Sequence, residues 1–202
     1  MKNSKKLLLA FVATLAIASC SKKDDPVVPP APVNEEELIT TVRLVLTPVG
    51  GGTTITLQSK DLDGDGPGLP EITPTTPPVF ALNKTYNGEV IVLNESVTPV
   101  ANISEEILAE AKDHQFFYTK TGPIPAFTYT LVADAADNYD ANGKPLGFRT
   151  KFVTTTAATA STLKITLRHE GNKLLPGVVD GNITNATGAT DFEVTFPGLT
   201  VQ

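Results

Sequence analysis

The chain has 202 residues, enough for one or two domains, with 22 acidic against 16 basic side chains and a formal charge of −6. That balance argues against nucleic acid as a partner and against electrostatic docking on anionic lipid. A single cysteine leaves no disulfide within the chain, so folding rests on core burial, which a domain of this size can supply.

Lys2, Lys5 and Lys6 precede Leu7–Ala18, an apolar run interrupted only by Thr14. A basic start, a short apolar run and small residues before a cleavage point predict a secretory signal peptide over residues 1–19. The run is shorter than the roughly 20 residues a spanning helix needs. Ile17-Ala18-Ser19-Cys20 resembles the bacterial lipobox. The resemblance implies that the Cys20 thiol receives a diacylglyceryl group, that the signal is cut, and that the new amino terminus takes a fatty acyl chain such as palmitate. Each buried methylene contributes about 0.8 kcal/mol, so two or more chains hold stably where one holds marginally. The plainer alternative is an ordinary signal peptide with a chance or buried cysteine. Cutting before Cys20 leaves 13 basic and 22 acidic residues, a formal charge of −9.

Ser21-Lys22-Lys23-Asp24-Asp25 resembles the export signal of Bacteroidetes-type surface lipoproteins, and implies an outer-membrane protein facing outward; a polar spacer is the bland reading. Pro26, Pro29, Pro30 and Pro32 then favour an extended tether over residues 20–34. At about 3.1 Å per residue it holds the following domain up to roughly 40 Å from the bilayer.

The folded domain is expected over residues 35–202. Val42, Leu44 and Leu46 alternate with more polar neighbours as a half-buried strand does, and Pro48 and Gly50-Gly51-Gly52 stop it. Thr53–Ser59 returns as the second arm of a hairpin. After a Pro/Gly/Thr-rich loop, Asp61–Pro78, a strand is expected over Thr85–Leu93. Ser104–Lys112 is the one predicted helix: Ser104 or Asn102 caps it, Glu105 and Glu106 suit its positive end, and Ile107, Leu108 and Ala111 form its stripe. Strands follow over Gln115–Lys120, Phe127–Ala133, Phe148–Thr155, around Leu163-Ile165-Leu167, and around Phe192-Val194-Phe196. Asn142-Gly143 marks a turn. Seven to nine short strands predict an all-β fold: an antiparallel β-sandwich, immunoglobulin-like or transthyretin-like, with one short helix. The absence of tryptophan excludes the cysteine–tryptophan core of true immunoglobulin domains.

Three places carry candidate chemistry. Asp61-Leu62-Asp63-Gly64-Asp65-Gly66 sets acids at positions one, three and five of a loop with glycine at six, as the front half of an EF-hand does. Position twelve is Ile72, with Glu71 one place early, and the flanks read as strands. Calcium through Asp61, Asp63, Asp65 and Glu71 stands beside a plain Asp–Gly turn. A second acidic loop, with Asp134, Asp137, Asp140 and Asn142, reads as a solvated hairpin in preference to a cation site. The only histidines are His114 and His169. Parity puts His114 in phase with Phe116, and His169 in phase with Leu163, Ile165 and Leu167. If the two strands run antiparallel, both rings share one end of the sandwich on its inner side, beside Asp113 and Glu170. This suits a metal ion, and two unrelated strand-end histidines are the alternative.

Nucleophile-elbow, phosphate-loop and His-Glu-x-x-His patterns are missing, so a non-enzyme is expected. Beyond the amino terminus, Asn34–Val42, Asp61–Gly66, Asp113–Tyr118 and Leu167–Glu170 resemble an uncharacterised group of Bacteroidetes surface lipoproteins. The resemblance implies no activity. The expected function is a membrane-anchored, surface-exposed module at the outer membrane that binds a small ligand or an outer-membrane protein partner, accessory to nutrient or metal uptake. A structural or adhesive module with calcium-stabilised loops is the alternative, and a metal-dependent enzyme using both histidines is a weaker third.

Overall fold

The computed structural model describes residues 38–63, 68–129 and 138–202. The signal peptide, Cys20 and the proline tether lie outside these residues, as do Asp65, Leu131, Asp134 and Asp137. The described chain forms two packed β-sheets and one α-helix, as the sandwich reading expects.

β1 (Thr41–Pro48) and β2 (Ile55–Lys60) make the expected hairpin, Leu46 opposite Ile55, because alternate apolar side chains of each strand face the same core. β3 (Glu71–Thr73) pairs with β2 and falls in the segment expected to be loop; β4 (Val79–Phe80), just after that segment, runs parallel to the last strand. β5 (Lys84–Leu93) pairs with β1 from Tyr86 to Leu93, the whole length of β1. The helix, α1, covers Ile103–Ala109, shorter at its end than expected. Its chain turns through residues 110–113 to enter β6 (His114–Thr121). Asn102 takes the cap position, while Ser104 is buried and its hydroxyl accepts from the Val92 N–H at 2.8 Å. Ser104 therefore ties the helix to β5 and caps nothing.

β7 (Phe127–Tyr129) and β8 (Arg149–Thr154) pair antiparallel, with Phe127 and Phe152 stacked at 4.4 Å between centroids. β9 (Ala158–His169) and β10 (Ala189–Val201) are the long strands. The sheet orders are β3-β2-β1-β5-β8-β7 and β4-β10-β9-β6. Ten strands are thus described, where seven to nine were expected, and one pair is parallel. Leu44, Leu46, Val90 and Val92 from the first sheet meet Phe116, Leu163, Ile165, Leu167 and Phe196 from the second in one core.

One end of the sandwich gathers what matters for function. Thr41 at the start of β1 pairs with Leu93 at the end of β5, beside which α1 packs. In the other sheet His114 starts β6 and His169 ends β9.

Candidate metal centre

His114 and His169 are direct cross-strand partners in the antiparallel β6–β9 ladder. Both follow the inward parity of their strands, so their rings meet: the centroids are 4.4 Å apart and the planes 17° from parallel, a stacked pair. The expected antiparallel pairing and shared end are both present. His114 is buried at 3% exposure, and His169 is partly open to solvent.

The third member comes from β10. Thr190 pairs with Arg168 and Phe192 with Leu167, so Asp191 is an extra residue, a β-bulge. Such a bulge turns a side chain off its regular face. Here it brings the Asp191 carboxylate along the edge of the histidine stack, Oδ2 at 3.5 Å from His114 Nε2 and Oδ1 at 3.5 Å from His169 Nδ1. A second carboxylate comes from the end of α1. Glu110, His114 and His169 each place a ligand atom within 4.8 Å of the others. The Glu110 backbone carbonyl also lies 3.2 Å from His114 Nδ1.

A carbonyl oxygen only accepts, so His114 carries a proton on Nδ1, and its Nε2 faces the Asp191 carboxylate. Burial lowers the His114 pKa, and the neighbouring His169 adds to this; the Glu110 carbonyl and the Asp191 charge work the other way. The net direction favours neutral imidazole, the form that binds metal.

The acids adjacent in sequence are not the ones at the site. Asp113 uses its backbone carbonyl to accept from the Glu170 N–H at 2.7 Å, and its carboxylate lies 3.6 Å from Lys112. Glu170 is exposed with φ 54°, turning the chain away after β9. Glu110 stands four residues before His114, a spacing that places two side chains on one side of a helical turn and was legible in principle. Asp191 had no such signal, because a bulge breaks the parity by which strands are read.

In the Asp61–Gly66 loop, Asp63 Oδ2 accepts from the Gly68 N–H at 3.0 Å. That bond, followed by one from Asp61, lowers the Asp63 pKa. Asp61 and Asp63 are brought together, Asp65 lies outside the described residues, and Glu71 sits exposed on β3 opposite Lys60. The residues between Asp63 and Gly68 lie outside the described ones.

The second acidic loop departs from the solvated hairpin expected of it. Asp140 is buried: its Oδ1 accepts from the N–H groups of Asn142 and Lys144, at 2.8 and 2.9 Å, and its Oδ2 lies 3.4 Å from Lys173 Nζ. Lys173 also donates to the Ala111 carbonyl at 2.6 Å. The turn at Asn142-Gly143 is present, with Gly143 donating to the Asp140 carbonyl. Burying the acid requires a cation, and Lys173, distant in sequence, supplies it.

No protein-family model matches this chain, and no curated protein or solved structure does either.

Proposed function

We propose that this chain is a lipid-anchored β-sandwich of the outer membrane, facing outward, that captures a divalent metal ion at the α1 end of its sandwich as an accessory to metal uptake. One observation carries the reading: two imidazoles from partner strands are stacked, and one carboxylate spans both. Imidazole nitrogens with carboxylate oxygens are a donor set for divalent transition metals and zinc. The lipobox-like Ile17–Cys20, the Lys-Lys-Asp-Asp run and the proline tether support the location. No nucleophile pattern stands beside the histidines in sequence, and the role proposed is binding without turnover.

The test is metal content. The full chain, produced in a lipoprotein-processing host and purified in detergent, should carry close to one equivalent of metal after incubation with a mixed divalent pool and removal of excess. The His114→Ala/His169→Ala double variant should carry none. Equal metal on both proteins would end the proposal. Loss of surface labelling in Cys20→Ala cells would support the anchor, and unchanged labelling would remove it.

A further inference from the structure

We propose that a second site lies between the two sheets, a cleft that takes a small organic cation: a protonated amine carried on an apolar body. The cleft has a volume of about 240 Å³. At the roughly 30 Å³ that a water occupies in the liquid, this is room for about eight waters or one compact organic molecule. One wall is formed by the residues leading into β1 and out of β2, with Ile39, Val42 and Pro70; the other is β10, with Phe192 and Val194. Neither histidine lines it, so the site stands whether or not a metal binds at the α1 end.

The cleft exists because β2 breaks its own pattern. Ile55, Leu57 and Ser59 take the inward positions of this strand, and the third is a small hydroxyl where a large apolar side chain would close the gap. Ser59 is 5% exposed, sits opposite Val42 in the ladder, and its hydroxyl has no hydrogen-bond partner among the described residues. Thr40, the other hydroxyl on this wall, is committed. It donates to the Leu93 carbonyl at 3.3 Å and accepts from the Glu95 N–H at 2.7 Å. A buried hydroxyl without a partner is costly. A small polar residue kept where packing favours a large apolar one points to a ligand that the fold accommodates.

Charge selects that ligand. Asp61 lines the cleft just after β2, placed there by its backbone N–H, which donates to the Thr40 carbonyl at 2.7 Å. Asp63 stands beside it. Glu193 lies on the rim and is paired with Lys164 at 2.8 Å. Among the described residues, no lysine, arginine or histidine lines the cleft. An anion would therefore meet acidic groups alone. A bare calcium ion would find far fewer than its six to eight oxygens. An ammonium group brings three N–H donors for the Asp61 carboxylate and the Ser59 oxygen, and an apolar body attached to it covers Phe192 and Val194.

The experiment uses the full lipidated chain in nonionic micelles at neutral pH, with a chelator present so that no metal occupies the histidine pair. Three probes share one ring and differ in their polar group: benzylamine, benzyl alcohol and benzoate. In nitrogen–proton NMR titrations, benzylamine should move the amide signals of Ser59, Asp61, Phe192 and Val194. Benzyl alcohol should bind about tenfold more weakly, the scale of a hydrogen bond to a charged group, and benzoate should not bind. Asp61→Asn should reduce benzylamine to the level of benzyl alcohol, and Ser59→Leu should fill the cleft and abolish binding of both. Asp61→Asn leaves the volume unchanged and decides the matter if Ser59→Leu fails to fold. Equal affinity for the three probes, signal changes confined to other surfaces, no response to benzylamine, or benzylamine binding unchanged in Asp61→Asn would each overturn the assignment. Metal loading, measured without the probes, tests the histidine centre separately.

Discussion

His114 and His169 differ in what their removal should cost. His169 sits partly open to solvent at the end of β9, so His169→Ala should abolish tight metal binding and lower stability by only about 1 kcal/mol. His114 is buried under the α1 turn, and His114→Ala leaves a hole and an unpartnered carbonyl, costing about 2–3 kcal/mol. Metal calorimetry with chemical melts of both variants separates the two losses. Two tyrosines at the neighbouring face make the protein sensitive to alkali. Tyr118 donates to the Gly147 carbonyl at 2.8 Å, and Tyr129 donates to the Phe116 carbonyl while accepting from Gln115. Burial pushes both hydroxyls well above the usual tyrosine range. Above about pH 10 the unfolded chain releases these protons and the folded chain keeps them. The unfolded state then binds fewer protons, so stability falls as pH rises past 10. In a 295 nm titration Tyr118 and Tyr129 should ionise only as the far-ultraviolet circular dichroism collapses; ionisation in the intact fold would contradict this. At this scale the sequence revealed the histidines through parity. It did not reveal Asp140 as buried, because Lys173 lies 33 positions away.

Among the elements, β10 depends on how its chain enters the sheet. Gly188 has φ 86°, and a Cβ there would lie 2.1 Å from the His169 carbonyl oxygen and 2.7 Å from the Gly171 nitrogen. Both are backbone atoms and cannot swing aside. Gly188→Ala should therefore cost about 2 kcal/mol or more from backbone strain and overlap. It should also displace Asp191 relative to His169, weakening metal binding in the fraction that remains folded. Melts and zinc titration of the same preparation test both effects, and wild-type values in each would refute the packing described. The elements themselves were partly legible. β1, β2, β7, β8, β9 and β10 announce themselves by alternation of apolar residues, β5 by an apolar end and β6 by its aromatics. β3 and β4 span three and two residues, too few for any period to show, and they form because neighbouring strand edges offer unpaired backbone groups. The helix was placed correctly but ended early, since the chain must reverse before His114.

For the molecule as a whole, the two sheets share an aromatic and aliphatic core, while a buried ion pair fastens distant segments to it. Lys173 joins the turn at Asp140 to the end of α1 through Ala111. Burial lowers the Lys173 pKa, and Asp140 opposes that shift. Lys173→Met leaves Asp140 buried without its counter-ion and should cost about 3 kcal/mol; adding Asp140→Asn should restore part of it. Chemical denaturation of the cycle measures the coupling, and strictly additive losses would show that the pair contributes nothing. Fold class was readable at this scale because short alternating strands and turn residues leave few other ways to bury these side chains. Strand order was not, since the parallel β4–β10 pairing depends on contacts between residues 121 positions apart.

The bulge at Asp191 has a consequence for the register of β10. Excising Thr190 would let β10 run in unbroken register, with Ala189 still opposite His169 and Phe192 still opposite Leu167. Asp191 would then fall opposite Arg168 on the outer face, where it makes an ordinary surface ion pair. A single residue thus decides whether this carboxylate faces the histidine pair or Arg168.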